Sequence, residues 1–186
     1  MKQPSPIVDK ILDAAEVMAR TGGYNGFSYR EIAKQVGIKA ASVHYHFPGK
    51  PDLGAAMARR YADRFMEALG DPDDPETKPD ALLARYVGAY RTAACEDDLM
   101  CLCGMLGAEV TSIPEAVATE TKLFFEKNIA WLEAVLARLP SARDANERTA
   151  LAMKIVATLE GAVIMSRTLG DPSAFDRIAG ELLADL

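Results

Sequence analysis

The stretch from Ser28 to Leu53, SYREIAKQVGIKAASVHYHFPGKPDL, decides the fold. Its spacing predicts a helix, a tight turn, a short second helix and the start of a third. Ser28 stands three residues before Glu31, the capping-box spacing: the hydroxyl bonds a free backbone N–H and the carboxylate reaches back to the cap. Ile32, Ala33 and Val36 fall on one helical face. Gly37 stands where the first helix must stop, because glycine takes a left-handed backbone without steric cost. Ile38 then pins the turn to the core. The next helix, from Lys39 or Ala40 to His46, carries small residues on one face and hydroxyl, imidazole and phenol groups beyond. A helix of that kind fits the major groove of DNA, where small residues allow close approach to base edges.

Outward from this stretch the pattern stays helical. Ser5 and Pro6 read as N-cap and first residue of an opening helix. Its buried stripe is Ile7, Ile11, Ala14, Ala15 and Met18, and Gly22-Gly23 end it. Phe27 plugs the small N-terminal core, as does Phe47. Pro48-Gly49 break the second short helix, and Lys50-Pro51-Asp52 open a long helix to about Leu69. GDPDDPETKPD, residues 70–80, reads as an exposed loop. Helices follow at about 80–94, 98–111, 114–139, 146–169 and from 173 to the end. Pro140 and SARDAN form a turn, and Gly170-Asp171-Pro172 make another. The fold class is all-α with about nine helices; no strand pattern, repeat or low-complexity tract is present.

Composition narrows the function. The chain has 186 residues and a formal charge of −6. Residues 1–60 hold nine Lys and Arg against five Asp and Glu, a net +4, so the remainder carries −10. A basic head and an acidic body orient the head toward phosphate. No apolar run approaches the roughly 20 residues of a membrane span. The N-terminal MKQPSPIVDK lacks an apolar signal core, so a cytoplasmic protein is expected. Cys95, Cys101 and Cys103, an odd number, argue against a disulfide framework. His44 and His46, two apart on a helix, point about 200° apart and cannot chelate one ion. Neither metal nor cofactor is expected, and no nucleophile–base–acid set or phosphate loop suggests an enzyme.

Ser28-x-Arg30-Glu31-Ile32-Ala33-x-x-Val36-Gly37-Ile38, followed by Ser42-Val43-His44-Tyr45-His46-Phe47-x-x-Lys50-x-x-Leu53, resembles the DNA-binding domain of TetR-family transcriptional regulators. The resemblance implies a three-helix helix-turn-helix domain over residues 1–49. A helical effector-binding and dimerisation domain would occupy 50–186, with the 50–69 helix as linker. It implies a homodimer on a palindromic double-stranded operator, a repressor released by a small-molecule effector. Ser28, Ser42, His44 and Lys50 match phosphate-contacting positions, and Lys39, Ala40, Ala41 and Tyr45 match groove-facing ones. Tyrosine is commoner in the family where His44 stands here. No arginine lies in the recognition helix, which leaves much of the specificity to shape and apolar contact.

In the body, the candidate effector-lining residues are Tyr61, Phe65, Tyr86, Tyr90, Cys101, Met105, Glu109, Phe124 and Trp131. Each is also an ordinary core residue type. On a 98–111 helix, Leu99, Leu102, Leu106, Val110 and Ile113 form one stripe with Glu109 at its edge. Glu109 there would be a buried carboxylate needing a partner: a basic ligand, or Arg91 or Arg167. The last two helices carry the candidate dimer residues Leu159, Ala162, Met165, Phe175 and Leu182. Cys101-Leu102-Cys103-Gly104 resembles a TetR subgroup that responds to electrophiles and oxidants. An alternative is therefore a redox sensor acting through Cys101; another is a helical ligand carrier that does not bind DNA.

Overall fold

The computed structural model describes residues 6–92, 95, 99–140 and 144–186. Among them are nine α-helices and no strand. The helices are α1 Pro6–Gly22, α2 Tyr29–Val36, α3 Ala40–His46, α4 Lys50–Leu69 and α5 Pro79–Arg91. They continue with α6 Leu102–Ala108, α7 Glu115–Ala137, α8 Ala145–Leu169 and α9 Pro172–Ala184. The expected all-α architecture is the observed one.

The local signals act much as the sequence implies. Ser28 caps α2, its Oγ accepting from the Glu31 N–H at 3.3 Å. The Glu31 carboxylate bonds the Ser28 hydroxyl at 2.6 Å instead of the backbone N–H. Gly37 ends α2 with φ 77°, and the N–H groups of Gly37 and Ile38 both return to the Ala33 carbonyl. A full capping box, Asp144 with Glu147, opens α8, and Gly170 in the left-handed region closes it. The Ser5 cap and the residue 141–143 part of the SARDAN turn lie outside the described residues.

The chain forms two compact units. Unit 1 comprises residues 1–62 and 102–123; unit 2 comprises 63–101 and 124–186. The helices α4 and α7 therefore each contribute to both. The units divide elsewhere than at residue 49/50, for a reason visible in the burial. Leu53, Met57 and Ala58 on α4, Leu102 and Leu106 on α6, and Val117 on α7 are 0% exposed. In unit 1 they join Ile11, Ala15, Phe27, Ile32 and Val43. A Cβ at Gly54 would stand 2.9 Å from both the Tyr24 ring and Val117 Cγ2, so glycine permits α4 to close onto this core. Arg60 on α4 ties to Asp13 at 2.7 Å and to buried Glu16 at 3.5 Å, both on α1.

Unit 2 is built on Leu82, Leu83, Tyr86 and Tyr90 of α5 and Leu132, Val135 and Leu136 of α7, with Ile155, Leu159 and Val163 of α8 and Phe175 of α9. Residues 70–80, expected to form an exposed loop, are exposed or half-buried throughout, with α5 beginning at Pro79. The loop is held by Arg138, which donates to the carbonyls of Pro72, Asp74 and Thr77. Although α8 has a stretch apolar and long enough to cross a membrane, Ala152, Ile155, Val156, Leu159, Ala162 and Val163 bury one side of it in this core.

The largest departure is α6. It spans only seven residues, 102–108, where 98–111 is expected. Two internal glycines, Gly104 and Gly107, weaken the helix. Residues 109–113 turn, with the Ser112 N–H on the Glu109 carbonyl. The expected stripe therefore breaks: Leu102 and Leu106 are fully buried, whereas Val110 is 49% exposed.

Candidate nucleic-acid interface and effector site

The recognition helix α3 buries one residue, Val43, and exposes the rest of its groove-facing side. Lys39, Ala40, Ala41, His44 and Tyr45 are exposed, and Tyr45 stands 83% out in solvent. Ser28 and Ser42 are half-buried. The His44 ring lies 4.4 Å from the Tyr29 ring, and the Tyr29 hydroxyl donates to the Phe47 carbonyl at 2.9 Å. Tyr29 thus fixes both the C-terminal end of α3 and the imidazole on it. Burial and the nearby Asp52 charge push its phenol up to about 12, so it remains a donor at any working pH. Sequence reading passed over Tyr29, whose apolar ring and lone hydroxyl carry no motif.

Lys50 sits differently from a free phosphate ligand. Its Nζ lies 4.7 Å from the Tyr24 ring centre and 4.5 Å from that of Phe27. Burial lowers its pKa, against which the Glu31 and Glu109 carboxylates act. In this structure the ammonium anchors the start of α4 on the aromatic pair of unit 1 by cation–π attraction.

Glu109 belongs to the same unit. Its Oε2 accepts the Tyr24 N–H at 2.7 Å. Gly23, at φ 70°, brings the chain so near that a Cβ there would lie 2.2 Å from Glu109 Oε1. The partner expected for Glu109 was a ligand or Arg91 or Arg167. It is instead a backbone N–H of the turn after α1, and Arg91 is engaged with Asp176 at 2.8 Å. The early end of α6 is what turns Glu109 away from the anticipated helical face.

The remaining effector candidates separate by unit. Tyr61 and Met105 fall in unit 1, Tyr61 beneath the Arg20 guanidinium. Phe65, Tyr86, Tyr90, Cys101, Phe124 and Trp131 come together in unit 2. Phe65 meets Tyr86, Tyr90 and Phe124 edge-on at 5.3–6.0 Å between ring centres. Trp131 stacks on Tyr86 at 5.6 Å and donates its indole N–H to the Gly70 carbonyl. A buried polar chain threads these rings. Asn128 donates to the Phe124 carbonyl at 2.7 Å, which fixes its amide. Its Oδ1 receives the Tyr86 proton at 2.8 Å. The Tyr90 hydroxyl has one proton and two acceptors, the Tyr86 oxygen and Glu160 Oε1 at 3.4 Å. Burial raises both phenols.

The chain ends at Glu160 of α8, which sequence reading missed. Burial raises its pKa, opposed by hydrogen bonds from Cys101 and Tyr90. Its Oε2 is buried and has no hydrogen-bond partner among the described residues. The one available signal was an acid within the apolar run ATLEGAVIM. Cys101 and Cys103 are buried, Cys95 is half-buried, and none of the three is in a disulfide.

Of the candidate dimer residues, Leu159, Ala162, Phe175 and Leu182 are at most 5% exposed and belong to the internal core of unit 2. A side chain already covered by its own subunit has no surface left to bury against another. Met165, at 51%, is the exception. The apolar surface of α8 and α9 is made by Met153, Ile164, Met165, Leu169 and Leu183, each 37–63% exposed.

Comparison with known proteins fits this arrangement. Residues 11–57 match the model of bacterial regulatory proteins of the tetR family. Residues 79–181 match the C-terminal domain of LmrA/YxaF-like transcriptional regulators. A TetR transcriptional regulator from Legionella pneumophila is 30% identical over the full length of both chains, with a TM-score of 0.90. The regulator LmrA of Bacillus subtilis is 24% identical over 164 residues, 86% of each chain. IcaR of Staphylococcus epidermidis, a negative regulator of a biofilm operon, is 28% identical over 114 residues. That match spans 61% of this chain and only 58% of IcaR. The head built on Ser28–Leu53, the helical body and these matches together place the chain in the TetR family of DNA-binding transcriptional regulators.

Proposed function

We propose that the protein is a homodimeric repressor that binds a palindromic operator through α3 and leaves it when a small molecule occupies unit 2. The observation that carries the DNA-reading half is the exposed row Lys39, Ala40, Ala41, His44 and Tyr45. A phenol 83% exposed on a short helix has no packing role and suits contact with base edges or backbone. Ser42 adds a hydroxyl in the first turn of α3, Ser28 marks the start of α2 with its own proton on Glu31, and Lys50 adds charge behind them. The apolar patch of Met153, Ile164, Met165, Leu169 and Leu183 is the surface through which two copies would pair, setting two recognition helices one helical turn of DNA or a multiple apart. Repression as the sense of control is supported by IcaR, described as a negative regulator. The site of action is the cytoplasm, where the DNA lies.

Effector release requires a molecule that prefers the DNA-incompetent state. The aromatic group of unit 2 is the candidate receiver. Since α4 is continuous from unit 2 into unit 1, a displacement of its 63–69 half is carried along one helix to the 50–62 half. The alternative, electrophile sensing at Cys101, has two observations against it. The sulfur belongs to a residue 1% exposed, and its neighbour is the Glu160 carboxylate, the opposite of the cationic setting that activates cysteines.

The test is a gel shift of the full-length protein on the DNA flanking its gene, over a salt series. Specific binding is expected, weakening steeply with salt. Lys39→Ala should lower affinity and flatten the slope of log K against log salt by roughly 0.9 if it meets one phosphate. Absence of any specific shift by a folded dimer, confirmed against a random-sequence pool, would overturn the reading.

A further inference from the structure

Glu160 is short of donors. A carboxylate has about four lone-pair positions. Here the donors in reach are the weak S–H of Cys101 and a Tyr90 hydroxyl 3.4 Å away, whose single proton the Tyr86 oxygen also claims. The Tyr86 proton is already committed to Asn128. Among the described residues neither Arg nor Lys is one of the groups acting on Glu160, and its buried Oε2 has no hydrogen-bond partner. Buried carboxylates ordinarily have a cation or several N–H groups. The Tyr90 hydroxyl that reaches it belongs to a ring packed 5.5 Å from the rings of both Tyr86 and half-buried Phe65, centre to centre. An acid without a cation, set beside aromatic rings, is complementary to a cation that brings its own apolar body.

We infer that the effector of this protein is an organic cation, a protonated amine or amidine on an apolar or aromatic frame, whose N–H groups take Glu160 Oε2 while its frame lies against the rings of Phe65 and Tyr90. This rests on the reading that unit 2 is the effector-receiving part. Trp131 is the protein's one tryptophan and stacks on Tyr86, so its fluorescence reports occupancy without a label.

The experiment titrates the full-length dimer with three molecules of one shape: 4-phenylbutylammonium, 4-phenylbutanol and 4-phenylbutyrate. Trp131 fluorescence gives affinity, and release of a bound operator fragment gives response. The ammonium should bind at least tenfold tighter than the alcohol, with the carboxylate weakest, and should release DNA. In Glu160→Gln the preference for ammonium over alcohol should fall below threefold while operator binding without ligand stays within twofold of wild type. Equal binding of ammonium and alcohol, tighter binding of the carboxylate, or no binding of any up to millimolar concentration would each overturn the inference. The wild-type series decides this even if the variant fails to fold. Release of DNA by the alcohol or carboxylate alone would sink the cation and leave the ligand-responsive repressor standing. Failure of the same protein to hold any operator would sink the repressor and leave the charge preference to be read from fluorescence.

Discussion

At the scale of single residues, Glu160 makes a testable pH signature. Burial raises its folded-state pKa above the unfolded value. An acid so raised stabilises the fold while protonated in both states, and that contribution is lost as pH rises from the unfolded pKa through the folded one. Glu160→Gln removes the charge, so the ligand-free variant should be more stable than wild type at pH 7 by about 1 kcal/mol, the order of one unsatisfied buried group. The gap should close as pH falls below about 4.5. Thermal melts from pH 4 to 8 check this; a Glu160→Gln variant less stable at every pH would mean that the carboxylate has a structural partner. The exposure of Lys39, Ala40, Ala41, His44 and Tyr45 was legible in the sequence because the helix-turn-helix motif has fixed spacing, whereas the seat of Lys50 on Tyr24 and Phe27 was not. Glu160 was not, because its meaning lies in which side chains face it, and those come from α5, the segment before α6 and α8. Leu159, Ala162, Phe175 and Leu182 misled for the related reason that helical spacing does not say which apolar face meets the chain's own core and which meets solvent.

At the scale of elements, the turn between α1 and α2 depends on Gly23. It combines φ 70° with close approach to Glu109. Gly23→Ala should cost at least 1 kcal/mol from left-handed backbone alone, and more from displacing the Glu109 carboxylate. Denaturant unfolding measures it, and a loss below 0.5 kcal/mol would count against the contact. Glu109→Ala leaves the Tyr24 N–H without its acceptor and should destabilise by about 1–2 kcal/mol. Asp144→Ala tests a cap remote from both sites: about 1 kcal/mol of stability is expected to be lost with DNA affinity unchanged. Helix boundaries were readable wherever caps are local, as at Ser28, Gly37, Pro79 and Gly170. They were not readable at α6, where seven helical residues are set by burial of Leu102 and Leu106 and by a bond between residues 85 positions apart.

At the scale of the whole molecule, the exposed α8 and α9 surface should mediate self-association. Ile164→Glu and Met165→Glu together place two charges in that patch. They should shift the protein from dimer to monomer by sedimentation at micromolar concentration and weaken operator binding by at least tenfold, with the helical circular dichroism retained. A variant that remains dimeric would move the interface elsewhere. The fold class and the order of helices could be read from periodicity and punctuation alone. The division into units could not, because residues 102–123 return to the company of residues 1–62 only through tertiary packing.

That return has a consequence during synthesis. Leu102, Leu106, Glu109 and Val117 complete the core and the turn on which the helix-turn-helix is mounted. A ribosome that has released residue 62 must add some sixty more before the last of unit 1 exists. At 5–20 residues per second that is about 3–12 s in which the motif is present as sequence but lacks its support. Prematurely terminated chains ending before residue 102 would carry the whole recognition sequence and still lack the buried leucines that hold it. Such fragments should be more readily digested by protease than the intact chain, which limited proteolysis of a 1–101 truncation checks.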